Sequence, residues 1–292
     1  KKNQLKILGE GNFSIDQKKD LIKYEILNKN DSYDIISSIH FKNNPFIINF
    51  LDYKKKPKKK LLFNLNLFYK KNKELIFNEI SIKSDKNFFL INDLKLSKNF
   101  KFKSIQTIDL NYVNQNKLLN KIKIVKNKKN YKINSKSLDI SKIISNMLDV
   151  SSDNKPENFF YNFNSNIFLN IDKAYLDKIS FLKEVNGDIT YKKNIIHKLI
   201  IDSKFSANKK LNLTITTNGK QKITTLFSDY AKPIMQNYKF IKGFDEGVLD
   251  FYSIKTNDTS KAKLKIYDFK LKELPALTKL LTLASLQGIA DL

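Results

Sequence analysis

The chain has 292 residues, a hydrophobic content of 41% and a formal net charge of +25, which suits one large β domain or two ordinary domains with a sizeable core. It contains no cysteine, so disulfides, thiolate metal sites and cysteine nucleophiles are excluded. No apolar run reaches the roughly 20 residues that cross a bilayer as a helix. We expect an internal piece of a longer protein, because no Met precedes Lys1 and an apolar helical pattern is still running at Leu292.

The excess positive charge comes entirely from lysine, because all 54 basic residues are Lys and none is Arg. Bidentate recognition of guanine or phosphate favours the planar guanidinium of Arg. A solvated Lys-rich surface is therefore the first expectation. Attraction to anionic lipid headgroups comes second, and nucleic-acid binding comes third.

The first half of the chain alternates apolar and polar residues with a period of two, which is typical of strands with one apolar face. Gly9 and Gly11 interrupt the first of these strands and predict a bulge. A short helix is predicted over residues 138–148. The alternating sets are Leu5, Ile7, Phe13, Ile15; Tyr33, Ile35, Ile39, Phe41; Phe46, Ile48, Phe50; Phe63, Leu65, Leu67; and Ile122, Ile124.

Short polar turns separate the strands at residues 28–31, 70–73, 126–130 and 218–220. Their Asn and Gly residues tolerate positive φ, so we expect hairpin loops. Strands joined by tight turns form an antiparallel meander without long crossovers. The predicted fold is therefore mainly β, with only a few short helices.

The second half continues the alternation, and its parity changes near Asp268, which predicts a bulge there. Helical spacing appears over residues 228–238 and again from Leu274-Pro275. The polar run at residues 151–156 predicts a boundary, giving segments 1–150 and 151–292. The alternating sets are Ile167, Leu169, Ile171; Leu199, Ile201, Phe205; Leu211, Leu213, Ile215; Leu264, Ile266; and Phe269, Leu271.

No catalytic constellation emerges from the remaining motifs. His40 and His197 lack neighbours at metal-ligand spacing, and the adjacent Asp245 and Glu246 are expected in a turn. The lysine run at residues 54–60 is expected to be a solvated loop. We therefore predict no enzyme activity, no cofactor and no metal.

The last part of the chain carries an ordered set of motifs. A short helix followed by a glycine-marked strand is expected over residues 238–252, and a second strand follows over residues 262–271. A Leu274-Pro275-Ala276-Leu277 helix start follows, and the chain closes on Ala284-Ser285-Leu286, Gly288 and Asp291-Leu292. This order resembles the C-terminal region of the AsmA-like superfamily, which includes AsmA, YhdP and TamB proteins, and especially its large YhdP-like members. The resemblance covers about residues 160–292.

The resemblance implies a long, curved antiparallel β-sheet with a hydrophobic groove. It further implies a periplasmic protein, attached to the bacterial inner membrane by an anchor outside this sequence and linked to phospholipid transport towards the outer membrane. Outer-membrane assembly with other envelope proteins is also implied. The groove candidates from the alternation are Ile167, Leu169, Ile171, Leu199, Ile201, Leu211, Leu213 and Ile215.

Three hypotheses remain open at this stage. The first is a lipid-conducting module with phospholipid as its partner. The second is an envelope scaffold or assembly module, in which the same apolar face is a closed core. The third is nucleic-acid binding through Lys, which predicts a steep salt dependence.

Overall fold

The computed structural model describes residues 4–15, 18–56, 58–142, 163–192, 195–205, 208–237, 244–256 and 259–271. These residues form a mainly β protein built from antiparallel strands, which confirms the predicted fold class. The chain divides into two compact units, Lys1–Asn164 and Ser165–Leu292. Within the described ranges, no helix is long and apolar enough to cross a membrane.

The first unit is an antiparallel meander of nine strands that pair in the order β1, β2, β3, β6, β7, β8, β10, β11, β12. The short β9 pairs with one end of β8, and β4 and β5 form a separate ribbon. The strands are β1 (Gln4–Ile15), β2 (Lys18–Lys29), β3 (Ser32–Phe41), β4 (Ile47–Ile48), β5 (Tyr53–Lys54), β6 (Leu61–Lys70), β7 (Glu74–Ser84), β8 (Asn87–Ser97), β9 (Phe102–Ser104), β10 (Thr107–Val113), β11 (Leu119–Asn127) and β12 (Asn130–Asp139).

The second unit is an antiparallel meander of seven strands, each paired with the next along the chain. One short helix, α1 (Lys232–Asn237), lies between β17 and β18. The strands are β13 (Ser165–Tyr175), β14 (Phe181–Lys192), β15 (Ile195–Lys204), β16 (Lys210–Asn218), β17 (Gln221–Ser228), β18 (Phe244–Lys255) and β19 (Ser260–Leu271).

The predicted hairpin turns are confirmed. Asn30, Asn72, Lys128 and Gly219 occupy these four turns, and each has a φ between 55° and 58°. This left-handed conformation is accessible to Gly and tolerated by Asn. The turns are short because the strands they join are direct neighbours.

Two expected bulges are absent. Register between β1 and β2 runs unbroken from Gln4 to Ile15, and the ring of Tyr24 occupies the space where a Cβ on Gly9 would stand. The glycine thus makes room for an aromatic ring. At the second position the register is the same on both sides of Asp268, so no residue is inserted. A positive φ at Asp268, with Gly247 facing it across the register, accompanies the change in parity.

The helix and turn predictions need correction. Residues 228–231 are not helical, because Ser228 ends β17 and α1 begins at Lys232, one residue before Pro233. Leu138 belongs to β12, and residues 143–148 of that predicted helix lie outside the described residues. The boundary at residues 151–156 and the helix from Leu274 also lie outside them.

Asp245 and Glu246 do not form a turn, because both belong to β18. Asp245 accepts a hydrogen bond from the Nζ atom of Lys232 at 2.7 Å. Glu246 instead pairs with Lys270 on β19, also at 2.7 Å. The two adjacent carboxylates therefore have different lysine partners and do not converge on one site.

The set Phe46, Ile48 and Phe50 is not a strand of the sheet. These residues lie in the connection from β3 to β6, here called the cap segment (residues 42–56 and 58–60). The cap segment contains the β4–β5 ribbon and a 3-10 turn at Asn49–Leu51. Asp52 follows that turn with a φ of 53°, which reverses the chain before an extended strand can form.

Candidate functional site: the apolar sheet faces

The eight groove candidates lie on one face of the second unit. Leu199 pairs with Ile215 and Ile201 pairs with Leu213 across β15 and β16. Residues paired in an antiparallel sheet point to the same side, so the pairs form rows across the strands. One row crosses all seven strands and consists of Leu169, Gly187, Ile201, Leu213, Leu226, Phe251 and Leu264.

The candidates differ in how much of each side chain reaches solvent. Four are buried, with exposures of 4–7%, and four are half-buried. The buried set is Ile171, Leu199, Leu211 and Ile215, and the half-buried set is Ile167, Leu169, Ile201 and Leu213. The half-buried set is the part of this face that a bound molecule could still contact.

Gly187 has a specific place in the central row. A Cβ at this position would lie 3.2 Å from both Leu169 Cδ1 and Ile201 Cγ1, and 3.0 Å from the carbonyl oxygen of Ile200. The side chains of Leu169 and Ile201 therefore come together over β14, where the glycine leaves room for them. A larger residue at this position would force these two side chains apart.

The opposite face of β13–β16 carries several pairs of polar side chains, although Phe168 and Ile200 also lie on it. Asn170 donates a hydrogen bond to Asn186 at 2.9 Å. Asn212 donates a hydrogen bond to Asp202, and Lys204 pairs with Glu184 at 2.7 Å. The Lys204 ammonium, hydrogen-bonded to Glu184, lowers the pKa of this carboxyl. A sheet that is apolar on one side and polar on the other is typical of an antiparallel sheet with one solvated face.

Helix α1 covers part of the apolar face. Ala231, Met235 and Leu249 form a buried cluster, against which Leu226 and Phe251 of the central row also pack. The backbone N–H of Ala231 donates to the carbonyl of Gly247 at 2.7 Å, which fixes the start of the helix on β18. The hydrogen bond from Lys232 to Asp245 raises the pKa of Lys232. Helix α1 thus covers the face over β17 and β18, whereas Leu264 of the central row on β19 is 49% exposed.

The first unit carries an apolar face of the same design, which was not among the predicted site residues. Its signal was present in the alternation of Phe63, Leu65 and Leu67 and of Ile122 and Ile124. One row crosses nine strands in register and consists of Gly9, Tyr24, Ser37, Leu65, Ile80, Ile91, Ile108, Ile124 and Ile133.

The cap segment closes one end of this face. Tyr53 is 2% exposed, and its ring lies 4.8 Å from that of Phe89 and 6.0 Å from that of Tyr112 in edge-to-face geometry. Phe46 and Ile48 pack against the same cluster. Burial raises the pKa of both Tyr53 and Tyr112, so the two phenols stay protonated in the core.

A buried carboxylate anchors the cap segment to the sheet. Asp20 on β2 accepts hydrogen bonds from the backbone N–H groups of Lys42, Asn43 and Asn44 at 2.8–2.9 Å. Burial alone would raise the pKa of Asp20, but these amide donors outweigh it and lower the pKa. The carboxylate is thereby held in its charged form.

One lysine of the cap segment is also buried, contrary to the expected solvated loop. Lys55 is 5% exposed, and its Nζ atom donates to the carbonyls of Lys42 and Lys59 at 3.1 and 3.0 Å. Its burial lowers its pKa. The lysine run therefore includes a structural side chain that ties the two ends of the cap segment together.

Comparison with known proteins adds no family to this description. No family model matches the chain, and neither a curated protein nor a solved structure matches it at a significant level. Across the described residues, no group of three or more metal-ligating side chains comes together. Among the described residues, the apolar sheet faces are therefore the structural features that bear on function.

Proposed function

We propose that this chain is a module of an AsmA-like lipid-transfer protein and that phospholipid acyl chains lie along the apolar face of the second unit. The observation that supports this most directly is the unbroken central row, in which Leu169, Ile201 and Leu213 are half-buried. These side chains leave apolar surface that an acyl chain can contact, on a face whose shape is fixed by the pairing of the strands.

The energetic case is that of shielding hydrocarbon from water. Each exposed CH₂ group costs ~0.8 kcal/mol, so a 16-carbon chain costs roughly 13 kcal/mol in water. Rows of Ile and Leu remove much of this cost. Strands add ~4.8 Å each across a sheet, so the seven strands of the second unit support an elongated contact rather than a compact pocket.

The chemistry of the face suits movement along it. Aliphatic contacts have no preferred direction, since the hydrophobic effect depends on buried area. An acyl chain can therefore shift from one row of side chains to the next without breaking hydrogen bonds. The headgroup stays in water, where the net charge of +25 on the chain attracts its phosphate.

Under this proposal the protein works in the periplasm, held to the inner membrane by a segment outside the sequence, and carries phospholipid towards the outer membrane. It performs no catalysis and needs no cofactor. These statements follow from the resemblance of the final motifs to AsmA-like proteins.

A second candidate is an envelope scaffold whose apolar faces are closed cores. It is favoured by the burial of Ile171, Leu199, Leu211 and Ile215 and by helix α1 packing on the same face. A scaffold of this kind would bind partner proteins and purify without lipid.

The experiment that separates the two candidates is native mass spectrometry of the purified chain, followed by lipid extraction. We expect co-purified phospholipid in the wild type and its loss in Leu213→Thr and Ile201→Asp. Ile200→Asp is the matched control, because Ile200 is the neighbour of Ile201 in β15 and points to the opposite face. Circular dichroism confirms that each variant is folded.

Lipid loss in the apolar-face variants with retention in Ile200→Asp supports the transfer module. A folded wild-type chain free of lipid contradicts it and favours the scaffold. Equal lipid loss in Ile200→Asp also contradicts it, since the effect would then not depend on the face.

A further inference from the structure

A cleft of about 510 Å³ lies at one end of the first unit, beside the cap segment. It is separate from the proposed acyl-chain face, which belongs to the second unit. Four lysines line it: Lys19, Lys42, Lys60 and Lys83. They come from four places in the chain, namely β2, the segment after β3, the segment before β6, and β7.

Strand register explains why these side chains meet. Leu21 pairs with His40, His40 pairs with Leu62, and Leu62 pairs with Lys83, so one row crosses β2, β3, β6 and β7. Leu21 and Leu62 give the cleft an apolar floor. The remaining lysines stand at the strand ends, where the cap segment leaves β3 and enters β6.

The two carboxylates that line the cleft are already compensated. Asp20 accepts three backbone N–H groups from residues 42–44, and Asp85 pairs with Lys59 at 3.4 Å. The ion pairs among the described residues do not include Lys19, Lys42, Lys60 or Lys83. The cleft therefore presents an excess of positive charge.

The hydrogen bonds to Asp20 also order the mouth of the cleft. The backbone N–H of Lys42 donates to the Asp20 carboxylate, and the Nζ atom of Lys55 donates to the carbonyl of Lys42 at 3.1 Å. The backbone that carries the Lys42 side chain is therefore fixed at both its N–H and its carbonyl group. A preorganised cationic group loses less entropy on binding than a loop that must first be ordered.

We propose that this cleft binds a phosphate monoester or diester, with the phosphate among the four lysines and the adjoining carbon group over Leu21 and Leu62. Lysine recognises phosphate as a point charge, which suits a site without Arg. The same chemistry is found in a phospholipid headgroup and in a soluble phosphate ester. The inference does not depend on acyl-chain binding by the second unit.

The test compares soluble and membrane-bound phosphate. Titration calorimetry at low ionic strength would use inorganic phosphate and glycerol 3-phosphate, and flotation would use phosphatidylcholine vesicles with and without phosphatidic acid. The test variant is Lys42→Gln with Lys83→Gln. The matched control is Lys71→Gln with Lys73→Gln, which removes equal charge at the β6–β7 turn, at the other end of the strands.

We expect the cleft variant to lose affinity roughly thirtyfold, because it removes two lysines, and the control to lose less than about twofold. Loss for the soluble phosphates alone identifies a soluble ester as the ligand. Loss for phosphatidic acid vesicles as well identifies a lipid headgroup.

Equal losses in the cleft and control variants would overturn the proposal, because binding would then follow net charge alone. Absence of binding to both kinds of phosphate by the wild type would overturn it too. Ile201→Asp serves as the cross-check, since it should abolish acyl-chain binding and leave phosphate binding by the cleft unchanged.

Discussion

The two units use the same one-faced antiparallel sheet but cover part of it with different elements. In the first unit, a long cap segment brings Tyr53 into an aromatic cluster and is fastened by Asp20 and Lys55. In the second unit, the six-residue helix α1 packs through Ala231 and Met235 on one end of the face. Both faces keep half-buried aliphatic side chains in their central rows, such as Leu65 and Ile80 in the first unit and Leu169 and Leu213 in the second.

This difference shows that an alternating sequence predicts an apolar face but not what covers it. A covered face contributes to stability, and a partly covered one can also bind apolar ligands. The covering elements here are connections between strands. Changes in those connections should therefore separate stability from binding.

The largest expected effect is on the closed end of the first unit. Tyr53→Ala should cost about 3–5 kcal/mol of unfolding free energy, the range for removing a large buried aromatic side chain. Hydrogen exchange should show the loss in β6, β7 and β10, with protection of β13–β16 unchanged. A cost below about 1 kcal/mol would mean that the cap segment is not part of the core.

A smaller loss of unfolding free energy is expected when the contact of α1 with the apolar face of the second unit is weakened. Met235→Ala removes a side chain that is 5% exposed and should cost about 2–3 kcal/mol. It should also increase the lipid bound per chain, because α1 packs on the face that we propose to bind acyl chains. Thermal unfolding and lipid extraction measure the two effects, and reduced lipid in a folded variant would contradict the proposal.

The anchor of the cap segment should make stability depend on pH. Asp20→Asn should cost about 1–2 kcal/mol at pH 7, since hydrogen bonds to a charged group are stronger than neutral ones. The pKa of Asp20 is lowered in the folded state, so its contribution is present above the unfolded pKa of about 3.9 and is lost as pH falls through the folded value.

Urea unfolding of wild type and Asp20→Asn from pH 7 to pH 2.5 measures this dependence. The difference between the two proteins should stay constant down to about pH 4 and shrink below it. A difference that grows on acidification would contradict the assignment of Asp20 as a charged anchor.

The smallest expected effect compares two glycines in the two units. Gly187→Ala should cost about 1 kcal/mol, because its Cβ meets atoms at 3.0–3.2 Å. Gly11→Ala is the control, since a Cβ there has no neighbour within 4 Å. Thermal unfolding should place Gly11→Ala at or above the wild type. Equal destabilisation of both variants would mean that the contact over Gly187 is unimportant.

The fold class and the face of each groove candidate followed from the sequence because a period of two is a local property. Pairing of Leu199 with Ile215 then follows from hairpins with short turns. The same reasoning failed for Phe46, Ile48 and Phe50, whose alternation matched a strand. Their position is set by distant contacts with the sheet, which a local pattern does not record.

The local sequence pattern also did not predict how deeply each apolar side chain is buried. Leu211 and Leu213 are two positions apart with the same chemistry, yet Leu211 is buried and Leu213 is half-buried. The row of Leu211 includes Leu249, which packs in the cluster beneath α1. The lysine cleft was not predicted from the sequence for a related reason, since its lysines are brought together by register between strands far apart in sequence.

The most direct test of the central claim is photo-crosslinking of phospholipid along one strand. A photoreactive amino acid would replace Lys198, Leu199, Ile200, Ile201 and Asp202 of β15 in turn, and lipid adducts would be measured by mass spectrometry. We predict most adducts from the half-buried position 201, fewer from the buried position 199, and few from 198, 200 and 202, because alternate side chains point to opposite faces. Uniform labelling, or labelling confined to the polar face, would contradict acyl-chain binding by the apolar face.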